Sequence, residues 1–297
     1  MTGMDASLTQ VNPEQRMTSV TESAKRNTPA VTDSHTTHII AVASGIRGVG
    51  KSSIAALLAA ALHRHGLKVG LFDADSTGAS ILRLFGVQPL SAVSGPEKIV
   101  PVVSRGGIKL MALNRLVSGD KQPIAGHDAL INNASKPVWE DLACGHLDYL
   151  IVNLPPGTSD VGLTVTHVLP FDGVVLVTSP RDIAEIALRE AASMFKHSGI
   201  PLIGLVDNMR HVVCPACGTG IYVFGTGQAE FSAQLFETVM LGRMPLDPEL
   251  ACLCDAGEIE DYRSAELDSI TEKVLQFVAK TVSKTSGKRQ SADRSRG

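Results

Sequence analysis

The stretch GIRGVGKS, Gly45 to Ser52, constrains the fold more than any other part of the chain. It has the spacing G-x-x-x-x-G-K-[ST], follows the short apolar run HIIAVAS (38–44), and opens an Ala/Leu-rich segment of helical period at 51–65. A strand that turns into a helix through such a loop wraps backbone N–H groups around a phosphate, and the helix N-terminus adds a favourable dipole. Gly48 and Gly50 allow the close approach that a Cβ would block. The nucleotide contacts are therefore expected from Gly45, Ile46, Arg47, Gly48, Val49, Gly50, Lys51, Ser52 and Ser53. Lys51 would reach the β- and γ-phosphates, and the Ser52 hydroxyl would sit on Mg²⁺.

Further apolar runs begin at Lys68, Ile108, Leu147, Gly173 and Pro201. Each is continuously apolar rather than alternating, the pattern of strands buried on both faces. Helix-period segments at 51–65, 137–144 and 182–196 lie between them. The alternation predicts an α/β fold: a doubly wound, mostly parallel sheet with helices on both faces. Hydrophobic residues make up 44% of the 297 residues and charged residues 19%, enough for one well-buried domain. Residues 1–36, rich in Thr, Ser and charge, read as a disordered arm, residues 37–283 as the nucleotide-binding domain, and residues 284–297 as a disordered basic tail. A final helix at 265–283 places Leu267, Ile270, Val274, Phe277 and Val278 on one face, to be packed on the domain's own sheet.

A net charge of −3 gives no global argument for nucleic acid or membrane. No apolar run approaches the ~20 residues of a membrane span, and the N-terminus carries no apolar core of a secretory signal. Five cysteines, an odd and sparse set, suggest reduced thiols or metal ligands and a cytoplasmic location.

Ligands of parallel sheets bind at the carboxyl ends of the strands. Asp73 and Asp75, in LFDADSTGAS, alternate at one such end. One would hold the Mg²⁺ shell and the other would orient an attacking water, so Lys51, Asp73 and Asp75 are the catalytic candidates. A second strand ends at Asn153, before Leu-Pro-Pro-Gly, where a Walker B strand carries Asp. An amide brings no charge to a divalent cation, so metal binding should be weaker. Further along, Cys214 and Cys217 form C-P-x-C-G, a knuckle that turns both sulfurs toward one metal. A zinc knuckle, a redox dithiol and an iron–sulfur cluster shared between two chains all use such a pair; the residues alone favour zinc, completed by Cys252 and Cys254, by His211 or by a second subunit.

Together these segments resemble the Mrp/ApbC-type P-loop ATPases, iron–sulfur cluster carriers of the MinD/ParA-like superfamily. The resemblance runs from about His38 to Glu258 and rests most specifically on LPPGTSD and on the Asn-Met to Cys-Pro-x-Cys-Gly connection. It implies an ATP-sandwiching homodimer in which Cys214 and Cys217 meet their counterparts and hold a labile [4Fe–4S] cluster, destined for apo-protein clients. It also implies that Asn208 reads the adenine, with residues 245–247 nearby. The resemblance moves the preference at the cysteines from zinc to iron–sulfur, with zinc as the alternative.

Three departures fall at one centre. The family's first loop lysine is Ile46 here and the next glycine is Arg47. The Walker B aspartate is Asn153, and the family's Trp-Arg-Gly-Pro segment has PIAGHDALIN (123–132) roughly in its place. Nucleotide and cluster binding are expected to survive and hydrolysis to be slow. Two other functions compete: a MinD/ParA-like positioning ATPase using the basic tail on membrane or DNA, and a zinc-stabilised regulatory protein that binds nucleotide without turnover. The cysteine pair and the Pro-Pro-Gly strand end argue against the first, so neither nucleic acid nor membrane is expected as a partner.

Overall fold

The computed structural model describes residues 36–75, 81–87, 101–112 and 145–294, all within one compact unit. The expected arm at the N-terminus, the helix at 137–144 and the segment 123–132 lie outside the described residues. Eight strands form one sheet: β1 (Thr36–Ser44), β2 (Val69–Asp73), β3 (Val102–Val103), β4 (Lys109–Ala112), β5 (Leu147–Asn153), β6 (Gly173–Thr178), β7 (Leu202–Asp207) and β10 (Met240–Arg243), in the order β10-β7-β6-β1-β5-β2-β4-β3. All pairings are parallel except β3 with β4. Two further strands, β8 (Val212–Val213) and β9 (Gly220–Ile221), make a separate hairpin.

Continuous apolarity in the strands reflects cover on both faces. Along β1, Ile40 and Val42 join one core cluster while Ile39, Ala41 and Ala43 join the other. The first cluster contains α1 (Lys51–Arg64), α2 (Ile81–Leu84) and the start of α7 (Ala265–Arg294). Residues of α3 (Asp160–Val168), α4 (Asp182–His197) and α5 (Ala229–Leu235) pack in the second. The remaining helix, α6 (Pro248–Ala256), lies against the first cluster through Leu250, Leu253 and Cys254. Small side chains at Ala55, Ala56 and Ala59 to Ala61 let α1 bury nearly its whole circumference.

The stripe on α7 packs inward as expected: Leu267, Ile270, Val274 and Val278 are buried and Phe277 is partly buried against the first cluster. The helix does not stop at 283. Its backbone continues to Arg294, because residues 284–294 contain no proline and are mostly residues that tolerate a helix, Gly287 apart. α3 escaped the sequence reading. It follows Pro155, Pro156 and Gly157, which read as a turn, and its own Gly162, Thr164 and Thr166 are weak helix formers. Ser159 starts it, its Oγ accepting the Gly162 N–H at 3.2 Å.

One contact ties this frame to the phosphate loop. A Cβ on Gly45 would lie 2.3 Å from the Ala187 carbonyl carbon and from the Leu188 nitrogen. The backbone of α4 therefore rests directly on the first residue of the loop, and only glycine permits it.

Candidate nucleotide and metal site

Strand register gathers the polar groups. Asn153 on β5 pairs with Val42 on β1 and with Asp73 on β2, so three strand ends meet beside the loop. Gly50 adopts φ 79° and delivers the chain into α1. The helix has no side-chain cap and no acidic residue in its first turn. Its first N–H groups thus remain available to an anion.

At the centre stands the Asn153 side chain, fully buried. Its Oδ1 accepts from Lys51 Nζ at 2.7 Å, while its Nδ2 donates to Asp73 Oδ1 at 2.8 Å and to Ser52 Oγ at 3.2 Å. Asp73 also accepts the backbone N–H groups of Asp75 at 3.1 Å and Ile81 at 3.2 Å. Lys51 Nζ lies 3.5 Å from Asp75 Oδ2. Burial disfavours charge on both sides of this cluster. The Lys51 ammonium is pushed down by desolvation, against the pull of Asp75 and Asp73, and Arg47 pushes it down further. The Asp73 carboxyl is pushed up by desolvation, against the hydrogen bond from Asn153.

The residues present fit Mg²⁺. Ser52 Oγ and the Asp73 carboxylate lie on either side of one amide, and a buried carboxylate whose charge is disfavoured is stabilised by a nearby dication. When bound, the ion would neutralise phosphate charge. The cradle fits a nucleotide phosphate equally, since Gly48 and Gly50 both hold positive φ and keep the loop open.

Each expected loop residue can be placed. Val49 is buried, Ile46 turns inward to pack against the apolar core, and Arg47 and Gly48 lie at the exposed rim. Ser53 is half-buried, and its side chain hydrogen-bonds Cys254. Asn208 reaches the loop from the end of β7: its Nδ2 donates to Val49 O at 2.9 Å, and a Cβ on Gly50 would lie 2.2 Å from that nitrogen. Residues 244–246 run alongside, with Met244 N donating to Asp207 O and Leu246 N to His211 O.

Cys214 and Cys217 stand apart from this cluster, on the loop that joins β8 to β9. Cys214 N donates to Thr219 O at 2.9 Å and Gly218 N to Cys214 O at 2.8 Å, with Gly218 at φ 72°. Hydrogen bonding with Thr219, side chain first and then backbone, and with Cys214 holds the exposed Cys217 thiol below the ordinary thiol range. Cys252 and Cys254 sit on α6, and burial pushes the Cys254 thiol up. Among the described residues no group of three or more His, Cys, Asp or Glu side chains is placed to hold a metal. The ligand sets that would have joined Cys252 and Cys254 or His211 to the pair within one chain are therefore not assembled.

Sequence reasoning missed three residues here. Arg181 donates from Nη2 to Gly48 O at 3.2 Å and from Nε to Ser179 Oγ at 3.2 Å. Fully buried Asp207 lies 3.4 Å from Arg210 Nη1, an ion-pair distance without hydrogen-bond geometry. The Arg210 guanidinium lies 5.3 Å from the centre of the Tyr222 ring, just past β9. No motif surrounds Arg181; the D-x-x-R spacing was the available signal for the other two.

The fold and the loop define a P-loop nucleotide-binding protein of the parallel-sheet class. A family profile described as ParA, NUBPL iron-transfer P-loop NTPase, matches residues 35–283, and the chain belongs to that family. It is 36% identical over 255 residues to the iron-sulfur cluster carrier protein of Methanocaldococcus jannaschii, covering 85% of this chain and 87% of that one. With the carrier protein of Aquifex aeolicus it shares 37% identity over 83% of this chain and 67% of the other. Among solved structures, a nucleotide-binding protein of Archaeoglobus fulgidus in complex with ADP superposes with a TM-score of 0.66 at 35% identity, covering 78% of this chain and 90% of that one. The cell division ATPase MinD of Pyrococcus furiosus, at 19% identity and TM-score 0.59 over 81% of this chain and 99% of its own, shares the fold.

Two outcomes are expected. In Asn153→Asp the bridging donor becomes a second carboxylate against Asp73, so the metal-free protein should lose about 1–3 kcal/mol of stability, and Mg²⁺ should restore more than it gives the wild type. Denaturant melts with and without Mg²⁺ measure both. Burial raises the Asp207 carboxyl from 3.8 to about 6, with Arg210 and Arg243 opposing. Between those values the folded state holds the proton more tightly than the unfolded chain, so stability falls as pH rises across that window, by at most about 3 kcal/mol for this group. Asp207→Asn should flatten that slope in melts at pH 4 to 7.

Proposed function

We propose that this chain is an ATP-binding carrier of iron–sulfur clusters, working as a homodimer whose two Cys214–Cys217 pairs share a [4Fe–4S] cluster as cargo for apo-protein clients. The carrying observation is the placement of that pair: two free thiols three residues apart, one of them exposed, on a hairpin rooted beside the phosphate loop. A tetrathiolate site needs four sulfurs, and one hairpin offers two. A second copy supplies the same pair by symmetry. The relatives named as iron–sulfur cluster carriers support this reading. The ADP complex of the Archaeoglobus fulgidus protein supports the nucleotide half of this reading; we assign the base to Asn208 and residues 245–247.

In this reading residues 37–283 form the working domain, flanked by residues 1–36 and 284–297. No described helix is long and apolar enough to cross a membrane, and the four described cysteines are free thiols, which fits a cytoplasmic setting. The apolar stripe of α7 from Leu267 to Val278 is packed inward, so a positioning ATPase would have to rely on the basic tail alone.

Hydrolysis is slow in this proposal. Ile46, partly buried against the core, brings no charge to a phosphate, and Asn153 contributes an amide where a second carboxylate would stand beside Asp73. Anaerobic reconstitution followed by iron and sulfide analysis tests the cargo. Four irons and four sulfides per two chains are expected, lost in Cys214→Ser and Cys217→Ser. Stoichiometric zinc without sulfide would overturn it. Phosphate release should stay well below ~1 s⁻¹, the low end of ordinary enzymes; fast Mg²⁺-dependent release abolished in Lys51→Ala would refute slow turnover.

A further inference from the structure

Arg181 is held against the phosphate loop by several independent contacts. β1 and β6 pair in register, Ser44 opposite Val177, so the loop after β1 and the turn after β6 leave the sheet side by side. The α4 backbone rests on Gly45. Pro180, the preceding residue, is packed against Gly227, whose Cβ would lie 2.9 Å from it. The Arg181 guanidinium then spans Ser179 Oγ and Gly48 O. These two bonds use two of its five N–H groups, and no other partner lies among the described residues. The side chain is exposed at the mouth of the loop.

Position and charge together point to a ligand. Lys51 and the open first turn of α1 serve the phosphate at the helix end. Gly48 lies earlier in the loop, on its exposed rim, so the guanidinium fastened to its carbonyl stands outside the first turn of α1. Ile46, partly buried against the core, brings no cation to the rim, and the exposed Arg47 stands beside it. A triphosphate entering this site brings more negative charge than Lys51 balances, and a planar guanidinium is well suited to phosphate oxygens.

We propose that Arg181 contacts nucleotide, supplying a cation in cis from the start of α4 to the terminal phosphate of a bound nucleoside triphosphate. The residue thereby distinguishes triphosphate from diphosphate. This rests on the nucleotide-binding reading above.

Equilibrium titration of the full chain with adenylyl imidodiphosphate and with ADP, in the wild type, Arg181→Gln and Lys51→Ala, tests it. Arg181→Gln should weaken the triphosphate analogue about tenfold, the worth of one charge-assisted hydrogen bond, and leave ADP within about twofold. Retained ADP binding also shows that the variant is folded. Equal losses for both nucleotides would make Arg181 a fastening of the loop and overturn the proposal, as would no loss for either. Lys51→Ala should weaken both nucleotides. A wild-type chain that binds neither would refute the nucleotide reading itself, a result distinct from an unchanged Arg181→Gln.

Discussion

The hydrogen bonds of one buried amide hold the centre of this molecule together. Asn153 accepts from Lys51 and donates to Ser52 and Asp73, linking the loop, the first turn of α1 and the end of β2. A buried polar group without partners is costly, and a fully satisfied one fixes geometry. A carboxylate at this position would face Asp73 as a like charge and would depend on a cation to hold the two together. The amide needs none. It keeps the phosphate-binding lysine, the metal-facing hydroxyl and the acidic strand end in register without metal. The amide joins these groups through its own hydrogen bonds.

Much of the architecture was legible because it rests on short-range rules. Continuous apolar runs marked the strands buried on both faces, and GIRGVGKS marked the junction of β1 and α1. The apolar stripe from Leu267 to Val278 marked the packed face of α7. Elements whose cause is not local were missed. α3 depends on a single serine cap after a Pro-Pro-Gly turn, and β8 and β9 are too short to show any period. At the site, Lys51, Ser52, Asp73, Asp75 and Asn153 were found through their motifs, and strand register brings them together. Arg181 and Arg210 were not, because a guanidinium carries no signature until the fold shows what it reaches.

Position also corrected the reading of individual residues. Ile46 rests, partly buried, against the first cluster. Ser53 also carries a side-chain hydrogen bond to Cys254. Cys252 and Cys254, which spacing offered as partners for Cys214 and Cys217, ride on α6 and leave the hairpin pair to find its remaining ligands elsewhere.

Met209 carries a consequence of its own. It takes a left-handed backbone at φ 58°, a conformation uncommon for a side chain of its size. It turns the chain between Asn208, which is fastened to Val49, and Arg210, which lies against Asp207 and the Tyr222 ring. The hairpin that bears Cys214 and Cys217 is therefore a short arm whose pivot is one residue from the loop's own fastening. Arg210 N, donating to Met244 O, and Leu246 N, donating to His211 O, tie the base of the same hairpin to the segment after β10, so the cysteine pair is carried by the ends of two neighbouring strands.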